Sequence, residues 1–235
     1  IKQTLMAMKA RIKHLLDSQR ELTSSVSHEF RTPLARLKFA IAMLEQTHSD
    51  DKSKPYFDGM QSDIQELESL VSEMLEFAKL EREKPQLNIE LYDVVAQTQH
   101  FVQKLGFNHS TAIKIEANTA IELNADPHFI GRAIQNFIGN ALKYAEQQVI
   151  VTLTQTSNTI FIKVADDGPG IEQSEWENVF KPFTRLDKSR NKKIKGFGLG
   201  LAIVQKIINW HQGECYLESG PLKGACFVIA LPKKL

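Results

Sequence analysis

The sequence of 235 residues is poor in cysteine, has no excess of charge of either sign and has no long hydrophobic run. Its 29 basic and 28 acidic residues leave a net charge of +1, so we expect no nucleic-acid partner. A membrane-spanning helix needs about 18 consecutive apolar residues, and no such run is present. The two cysteines, Cys215 and Cys226, lack the spacing of a metal site, and we expect buried, reduced thiols.

A histidine followed directly by a carboxylate, His28-Glu29, lies within a helical pattern. Apolar residues from Leu22 to Leu44 recur every three or four positions, which predicts an amphipathic helix running to about Gln46. In such a helix His28 would point away from the apolar stripe, and a solvated histidine would be the simplest interpretation. However, Pro33 is retained inside the helix at a cost of about 3 kcal/mol. The combination favours a functional histidine beside a bend.

A second helix is predicted from Phe57 to Ala78, where apolar residues alternate in steps of three and four. Leu70 and Phe77 widen this stripe beyond what one partner helix would cover. Two such helices cannot bury both stripes alone, so we expect an antiparallel helical hairpin that dimerises into a four-helix bundle. Packing of the stripe against the C-terminal half of the same chain is the alternative.

The charged, proline-ended segment from Glu81 to Pro85 predicts a domain boundary. Beyond it, Asp126-Pro127 has the form of an N-cap followed by proline at the first helical position, which predicts a helix starting there. Another helix of this domain is predicted over about 198–210. The predicted strands cover residues 87–91, 112–115, 121–123, 149–154, 159–164, 214–218 and 225–231. Because the strands are grouped, we expect an α+β fold with a mixed sheet and helices on one face.

Two glycine-rich segments have the features of a nucleotide site. The segment from Asp166 to Ile171 follows a strand, and an aspartate there can accept a hydrogen bond from an exocyclic amine, which would select adenine. The segment from Gly196 to Leu201 leads into a helix, whose free N–H groups favour an anion. Each segment alone is a weak signal, because surface turns also use glycine. Their order along the chain is more informative.

Amide and basic side chains supply further candidate ligands. Asn136 and Asn140 share a helix face, and their oxygens suit a Mg²⁺ ion that also contacts phosphate. Lys143 adds a positive charge for a phosphate. The basic segment from Thr184 to Lys195 is most simply a solvated loop, although one or two of its cations could reach phosphates as part of a lid.

Together these segments resemble the sequence boxes of bacterial sensor histidine kinases, over about residues 20–235. Residues 27–34, Ser-His-Glu-Phe-Arg-Thr-Pro-Leu, resemble the H box, and residues 136–144 resemble the N box. Residues 166–171 resemble the G1 box, 180–183 the F box and 196–201 the G2 box. All five occur in the order and spacing of the family, and in detail they are most similar to its EnvZ and RstB branch.

The resemblance implies two domains and a leading helix. Residues 1–19 would be a signal-transmitting helix from a HAMP-like linker, and 20–83 would be the dimerisation and histidine phosphotransfer domain. Residues 84–235 would be a Bergerat (GHKL) ATP-binding sandwich that uses ATP and Mg²⁺. The sequence begins at Ile1 without methionine. We therefore expect the cytoplasmic portion of a bacterial inner-membrane protein, attached through an upstream membrane segment.

The resemblance also assigns roles to residues. His28 would receive the γ-phosphoryl group, Glu29 would hold or accept its Nδ1 proton, and Thr32 would position water to dephosphorylate the regulator. Asn140 would bind Mg²⁺, supported by Asn136. The other nucleotide-binding residues implied by the boxes are Lys143, Tyr144, Asp166, Gly168, Gly170, Ile171, Phe183, Arg185, Gly196, Gly198, Leu199, Gly200 and Leu201.

The implied activity is ATP-dependent autophosphorylation of His28, followed by transfer to an aspartate of a response-regulator receiver domain, with phosphatase activity on that regulator. Related GHKL ATPases such as gyrase and MutL activate water with a glutamate at the position of Asn136, and the asparagine favours transfer to a side chain. Two alternatives remain. One is an ATPase that drives a conformational change, and the other is a dimeric scaffold that only binds nucleotide.

Overall fold

The computed structural model describes residues 33–46, 53–82, 85–106, 111–117, 119–186 and 197–234. The chain divides into two compact units, Ile1–Glu83 and Lys84–Leu235. Within the described ranges, no helix is both long enough and apolar enough to cross a membrane.

The described residues of the first unit form two antiparallel helices. Residues 33–46 are helical (α1), and α2 spans Lys54–Arg82. Near one end of the pair, Gln61 Nε2 donates to Glu45 Oε2 at 2.9 Å, and further along Lys38 Nζ donates to Glu68 Oε2 at 3.3 Å. The partners run in opposite directions along the two helices. The predicted helical hairpin is therefore confirmed.

The apolar seam of α2 is divided between two surfaces. Ile64 packs with Leu34 and Ile41 of α1 in a buried cluster, and the half-buried Phe57 and Val71 border that cluster. The seam residues between these have about half of their surface exposed. The same is true of two residues of α1, Leu37 and Leu44. The exposed fractions are 47% for Met60, 46% for Leu67, 45% for Met74, 52% for Leu37 and 50% for Leu44. In the described part of this hairpin, the apolar stripes are therefore only partly buried.

The second unit contains seven strands and three helices in its described residues. The strands are β1 Glu90–Asp93, β2 Ala112–Glu116, β3 Glu122–Ala125, β4 Gln148–Gln155, β5 Thr159–Asp166, β6 Glu214–Glu218 and β7 Cys226–Pro232. The helices are α3 Val94–Gly106, α4 Pro127–Tyr144 and α5 Gly200–Trp210. Two short 3-10 turns, Gln173–Glu175 and Asn178–Phe180, follow β5.

Five strands form a mixed sheet in the order β2-β4-β5-β7-β6. The β2–β4 pair is parallel and the other three pairs are antiparallel, while β1 and β3 form a separate antiparallel pair. Alternate residues of β4 and β5 are buried, which is the pattern of strands with one face on a core. Helix α4 packs on this face, where the rings of Phe137 and Phe227 lie 5.2 Å apart. The predicted α+β class with a mixed sheet is confirmed.

Some predicted elements differ from those observed. The strand expected over residues 87–91 is the shorter Glu90–Asp93, and helix α3 was not predicted at all. The start of α3 had a recognisable signal, because Asp93 Oδ1 accepts from Val95 N at 2.9 Å as a capping residue does. The helix opened by Asp126-Pro127 agrees with the prediction, since Asp126 accepts from the backbone N–H groups of His128 and Phe129.

Candidate functional site

Asp166 ends β5 with its carboxylate held by backbone N–H groups. Its Oδ1 accepts from Gly168 N at 2.9 Å and from Ala225 N at 3.2 Å, and the residue is only 2% exposed. Oδ1 accepts both of these bonds, and no hydrogen bond from the described part of the chain reaches Oδ2. The carboxylate therefore has one oxygen fixed by the protein and one that can accept a hydrogen bond from a ligand.

The environment of Asp166 changes its acidity. Burial raises the pKa of the Asp166 carboxyl above its ordinary value, and the charge of Asp167 adds to the increase. The N–H groups of Gly168 and Ala225 oppose this effect in part. A buried carboxyl with a raised pKa at the end of a strand is typical of a functional position.

Asp167 fixes the connection between α4 and β4. Its carboxylate accepts from the backbone N–H groups of Glu146, Gln147 and Gln148 at 2.9–3.1 Å. Desolvation acts to raise the pKa of Asp167, but these N–H donors outweigh it, so the pKa is lowered overall. Asp167 therefore holds structure, whereas Asp166 keeps one acceptor oxygen for a ligand.

The turn after β5 is enclosed from two sides. A Cβ built on Gly168 would lie 2.3 Å from the carbonyl oxygen of Tyr144, which ends α4. Gly170 has a φ of +73°, and its Cβ would lie 3.3 Å from the carbonyl oxygen of Lys223 in the β6–β7 connection. Glycine at these positions allows the close approach of the turn to both neighbours.

Asn136 of α4 lies against the first residue of α5. Its Nδ2 donates to the carbonyl of Arg132 at 3.0 Å, so the amide is oriented with Oδ1 as a remaining acceptor. A Cβ built on Gly200 would lie 2.9 Å from that Oδ1. Asn140 is half-buried one turn further along α4, and Lys143 Nζ lies 5.5 Å from the ring centroid of Tyr144.

Helix α5 begins without a side-chain cap. Leu199 is its N-cap residue and makes no side-chain hydrogen bond to the first turn. The first N–H groups of an α-helix have no acceptor within the helix, and together with the helix dipole they favour an anion. Gly198 precedes the helix with a φ of +73°, and its carbonyl accepts from Phe183 N at 2.9 Å. Phe183 itself has a φ of 61° and a side chain that is 57% exposed.

The structure brings most of the described candidate residues to two places. Gly168 adjoins both Asp166 and Tyr144, and Gly170 adjoins the β6–β7 connection. At the second place Gly200 meets Asn136, and Gly198 meets Phe183. The remaining candidates differ in exposure: Leu199 is fully buried, Leu201, Ile171 and Asn140 are half-buried, and Arg185 is exposed. Because its side chain is buried, Leu199 could contact a ligand only through its backbone. His28, Glu29, Thr32 and Gly196 lie outside the described residues.

Two residues next to Asp166 were not among the candidates. Ala225 donates its N–H to Asp166 Oδ1, and Gly224 N donates to the Asp166 carbonyl at 3.1 Å. Both belong to the connection between β6 and β7. A glycine in a hairpin connection is typical of any turn, so no local pattern distinguishes Gly224.

The metal-binding capacity of this region rests on amide oxygens. The described residues contain no group of three or more His, Cys, Asp and Glu side chains that could hold a metal ion. The fixed orientation of Asn136 and the half-burial of Asn140 fit a Mg²⁺ ion that takes its other ligands from phosphate and water.

Family models match both units. The His Kinase A (phospho-acceptor) domain matches residues 18–83, and the histidine kinase-, DNA gyrase B- and HSP90-like ATPase matches residues 125–235. The ATPase match supports ATP as the nucleotide that the second unit binds.

Similar proteins include two sensors of Escherichia coli strain K12. The chain is 32% identical to the sensor protein RstB over 94% of its own length and 50% of RstB. It is 30% identical to the sensor histidine kinase CpxA over 94% of its own length and 48% of CpxA. The chain thus spans about half the length of these curated relatives.

A similar solved structure is that of full-length ShkA in complex with AMPPNP. It has a TM-score of 0.74 and 25% sequence identity, and the match covers 92% of this chain and 46% of ShkA. With a phospho-acceptor domain followed by an ATPase domain, and with these relatives, the chain belongs to the sensor histidine kinases, in the EnvZ and RstB branch of that family.

Proposed function

We propose that the chain binds ATP in its second unit, transfers the γ-phosphoryl group to His28, and passes it on to an aspartate of a response-regulator receiver domain. The observation that carries the proposal is the position of α4 between two candidate ligand-binding features. Asn136 meets the uncapped start of α5, and eight residues later (144 − 136) Tyr144 meets the turn after Asp166. These contacts are separated by about 12 Å along the helix axis, a span that would suit a nucleotide extended from base to phosphates.

Asp166 would bind the base. Its Oδ2 is an acceptor with no donor function while the carboxyl is ionised, so it favours the exocyclic amine of adenine over the carbonyl at the same position of guanine. Burial strengthens this preference, because an unpaired carbonyl facing a buried carboxylate would lose its hydrogen bonds to water.

The start of α5 would bind the phosphates, with Lys143 and Arg185 as additional positive charges. Asn136 and Asn140 would hold Mg²⁺, which when bound neutralises phosphate charge and orients the γ-phosphoryl group. Asn136 is an amide and cannot act as a general base toward water. This property supports transfer to a side chain over hydrolysis of ATP.

His28 would supply the nucleophile. Neutral imidazole is abundant near pH 7, since the ordinary pKa of histidine is about 6.5. Glu29 would accept or hold the Nδ1 proton while the Nε2 lone pair forms a bond to the γ-phosphorus. The bond from that phosphorus to the bridging oxygen breaks, and ADP leaves with the electron pair. A receiver-domain aspartate then takes the phosphoryl group from Nε2.

We also propose a phosphatase activity in which Thr32 positions water, because it follows His28 by four residues in the sequence, a spacing that would place both on one face of a helix. A Thr32→Ala variant should lose regulator dephosphorylation and keep autophosphorylation. A Thr32→Ser variant, which keeps a hydroxyl group, should retain both activities. Normal dephosphorylation by Thr32→Ala would remove this role.

Pro33 would act as a hinge beside His28, and unchanged kinase and phosphatase rates in Pro33→Ala would exclude that function.

The first unit would pair with a second copy of itself. The half-exposed residues of the α2 seam, together with Leu37 and Leu44, provide the apolar surface that a four-helix bundle buries. Attachment to the inner membrane through a segment outside this chain stays a prediction.

Incubation with γ-labelled ATP and Mg²⁺ tests the central proposal. Wild-type protein should gain a label that is labile in acid and stable in base, as a phosphohistidine is. His28→Ala should gain none, whereas His100→Ala, which removes an exposed histidine of the second unit, should label normally. ATP turnover without label would instead favour an ATPase. Nucleotide binding with neither label nor turnover would favour a scaffold.

A further inference from the structure

The connection between β6 and β7, residues 219–225, packs directly on Asp166. Its backbone exchanges three hydrogen bonds with that residue. Gly224 N donates to the Asp166 carbonyl at 3.1 Å, Asp166 N donates to the Ala225 carbonyl at 3.0 Å, and Ala225 N donates to Oδ1 at 3.2 Å. Both the main chain and the carboxylate of Asp166 are thus fixed by two consecutive residues of the connection.

Gly224 has no space for a side chain. A Cβ built on it would lie 2.1 Å from Asp166 Oδ1, 2.3 Å from the Asp166 carbonyl oxygen and 2.6 Å from Gly168 N. Atoms this close must move apart, and two of the three belong to the backbone. The φ of Gly224 lies outside the left-handed region, so the requirement for glycine here is one of space next to Asp166.

We propose that Gly224 is a positioning residue for nucleotide recognition: with Ala225 it holds Asp166 Oδ1 toward the protein, so that Oδ2 alone faces the base. This inference rests on the proposed binding of ATP and adds the element that sets its base specificity. The β6–β7 connection would act together with Gly168, whose N–H also donates to Oδ1.

The consequence is a carboxylate with one defined acceptor. A freely rotating carboxylate could turn either oxygen, at a range of angles, toward different bases. A carboxylate fixed by two N–H donors presents one oxygen, Oδ2, in one orientation, and binding loses less side-chain freedom. Releasing it should therefore weaken ATP binding and also reduce the preference for ATP over GTP.

A general structural role for the connection is the competing explanation, and Gly220 provides the matched control. Gly220 lies in the same connection, and its Cβ would be 2.6 Å from the Cβ of Cys226. Alanine at Gly220 therefore strains the same hairpin without contacting the carboxylate of Asp166. The two glycines separate loss of packing from loss of positioning.

The test compares wild-type protein with Gly224→Ala and Gly220→Ala by calorimetric titration with ATP and with GTP, and by thermal unfolding. Both variants should lower the unfolding midpoint. Gly224→Ala should raise the Kd for ATP about tenfold or more, and the Kd for GTP divided by the Kd for ATP should fall. For Gly220→Ala, both Kd values should stay within about twofold of wild type. Equal Kd values and equal ratios in the two variants would overturn the inference.

A second variant covers a failure of Gly224→Ala to fold. Insertion of one glycine between Leu222 and Lys223 loosens the connection without adding a side chain, and such insertions in surface loops are tolerated. It should change the same two quantities, and wild-type values for both would overturn the inference. Wild-type protein that binds no ATP would instead contradict the proposed function itself, so the two failures are distinguishable.

Discussion

The backbone N–H of Asp126 donates to Nε2 of His211 at 3.2 Å, although 85 residues separate them. His211 is fully buried, and its Nδ1 lies 2.8 Å from the carbonyl of Ile207. One ring nitrogen therefore accepts and the other donates, which defines a neutral tautomer. This bond joins the end of α5 to the start of α4, while Gly200 and Asn136 meet at the other end of the α5 helix.

Asp126→Ala should destabilise the second unit by about 2–4 kcal/mol. The carboxylate is buried and accepts from Asn88 N at 2.8 Å, His128 N at 3.0 Å and Phe129 N at 3.2 Å, so the variant removes a helix cap and leaves three partly buried N–H donors without this acceptor. Urea unfolding measures the change. Glu122→Ala, at an exposed acid of β3, should have little effect. Equal stability of the two variants would contradict this role.

Two glycines of α4 should respond in opposite ways to alanine. A Cβ on Gly131 would lie 2.8 Å from the ring of Phe101 in α3, whereas a Cβ on Gly139 meets nothing within 4 Å. Gly131→Ala should destabilise by about 1–3 kcal/mol through overpacking. Gly139→Ala should stabilise by up to about 1 kcal/mol because alanine favours the helix.

The same urea unfolding experiment checks both substitutions. A stabilised Gly131→Ala would mean that α3 can move away from α4 without loss of packing. A strongly destabilised Gly139→Ala would mean that this face of α4 is covered.

The elements with strong periodicity were predictable from the sequence. The stripe of α2, the Asp126-Pro127 start of α4 and the paired strands of both hairpins follow from local patterns that the fold preserves. Helix α3 was not predicted: Val94, Thr98, Phe101 and Leu105 have helical spacing, but α3 has only 13 residues and lies between two short strands, so its local pattern is weak.

Contacts between distant segments were not predictable. Asp166 was a candidate because it precedes two glycines, but one of the two N–H donors that fix its carboxylate lies 59 residues away. The division of the α2 seam into buried and half-exposed residues depends equally on how closely α1 approaches. Periodicity defines which residues share a face, whereas the part of that face that is covered depends on tertiary packing.

Ionisation of Asp166 should lower the free energy of unfolding at neutral pH. Its folded-state pKa is raised above the ordinary value of 3.8, chiefly by burial, so the folded protein binds this proton more tightly than the unfolded chain. The stability that the protonated carboxyl contributes is present below pH 3.8 and is lost as the pH rises through the raised pKa. The ionised form is the one that would accept a hydrogen bond from adenine.

Asp166→Asn tests this trade-off, because the amide oxygen still accepts from Gly168 and Ala225 but the side chain does not ionise. The free energy of unfolding of the variant, relative to wild type, should increase from acid to neutral pH. ATP binding should weaken, since an amide NH₂ would replace an acceptor opposite the base. A stability difference that is independent of pH would show that ionisation of Asp166 is not responsible.

The two thiols should be unreactive in the folded protein. Burial raises the pKa of Cys215 to about 12 and, with a contribution from Glu218, that of Cys226 to about 11, so little thiolate forms near pH 8. Cys215 pairs with Ile229 in the β6–β7 ladder, three positions from Cys226, which places the thiols on opposite faces. Mass spectrometry should find slow alkylation of native protein and fast alkylation of both thiols in urea. Rapid labelling of either native thiol would contradict their burial.

Leu67→Glu should convert a dimer of the first unit into a monomer. Leu67 is 46% exposed at the centre of the half-exposed seam, and a second copy would bury it, so a charge there would lose its hydration in the bundle. Gln65→Glu is the matched control, because it adds the same charge at an exposed position of α2 away from the seam. Light scattering should give twice the chain mass for wild type and Gln65→Glu and the single-chain mass for Leu67→Glu. A dimeric Leu67→Glu would require the copies to associate through another surface.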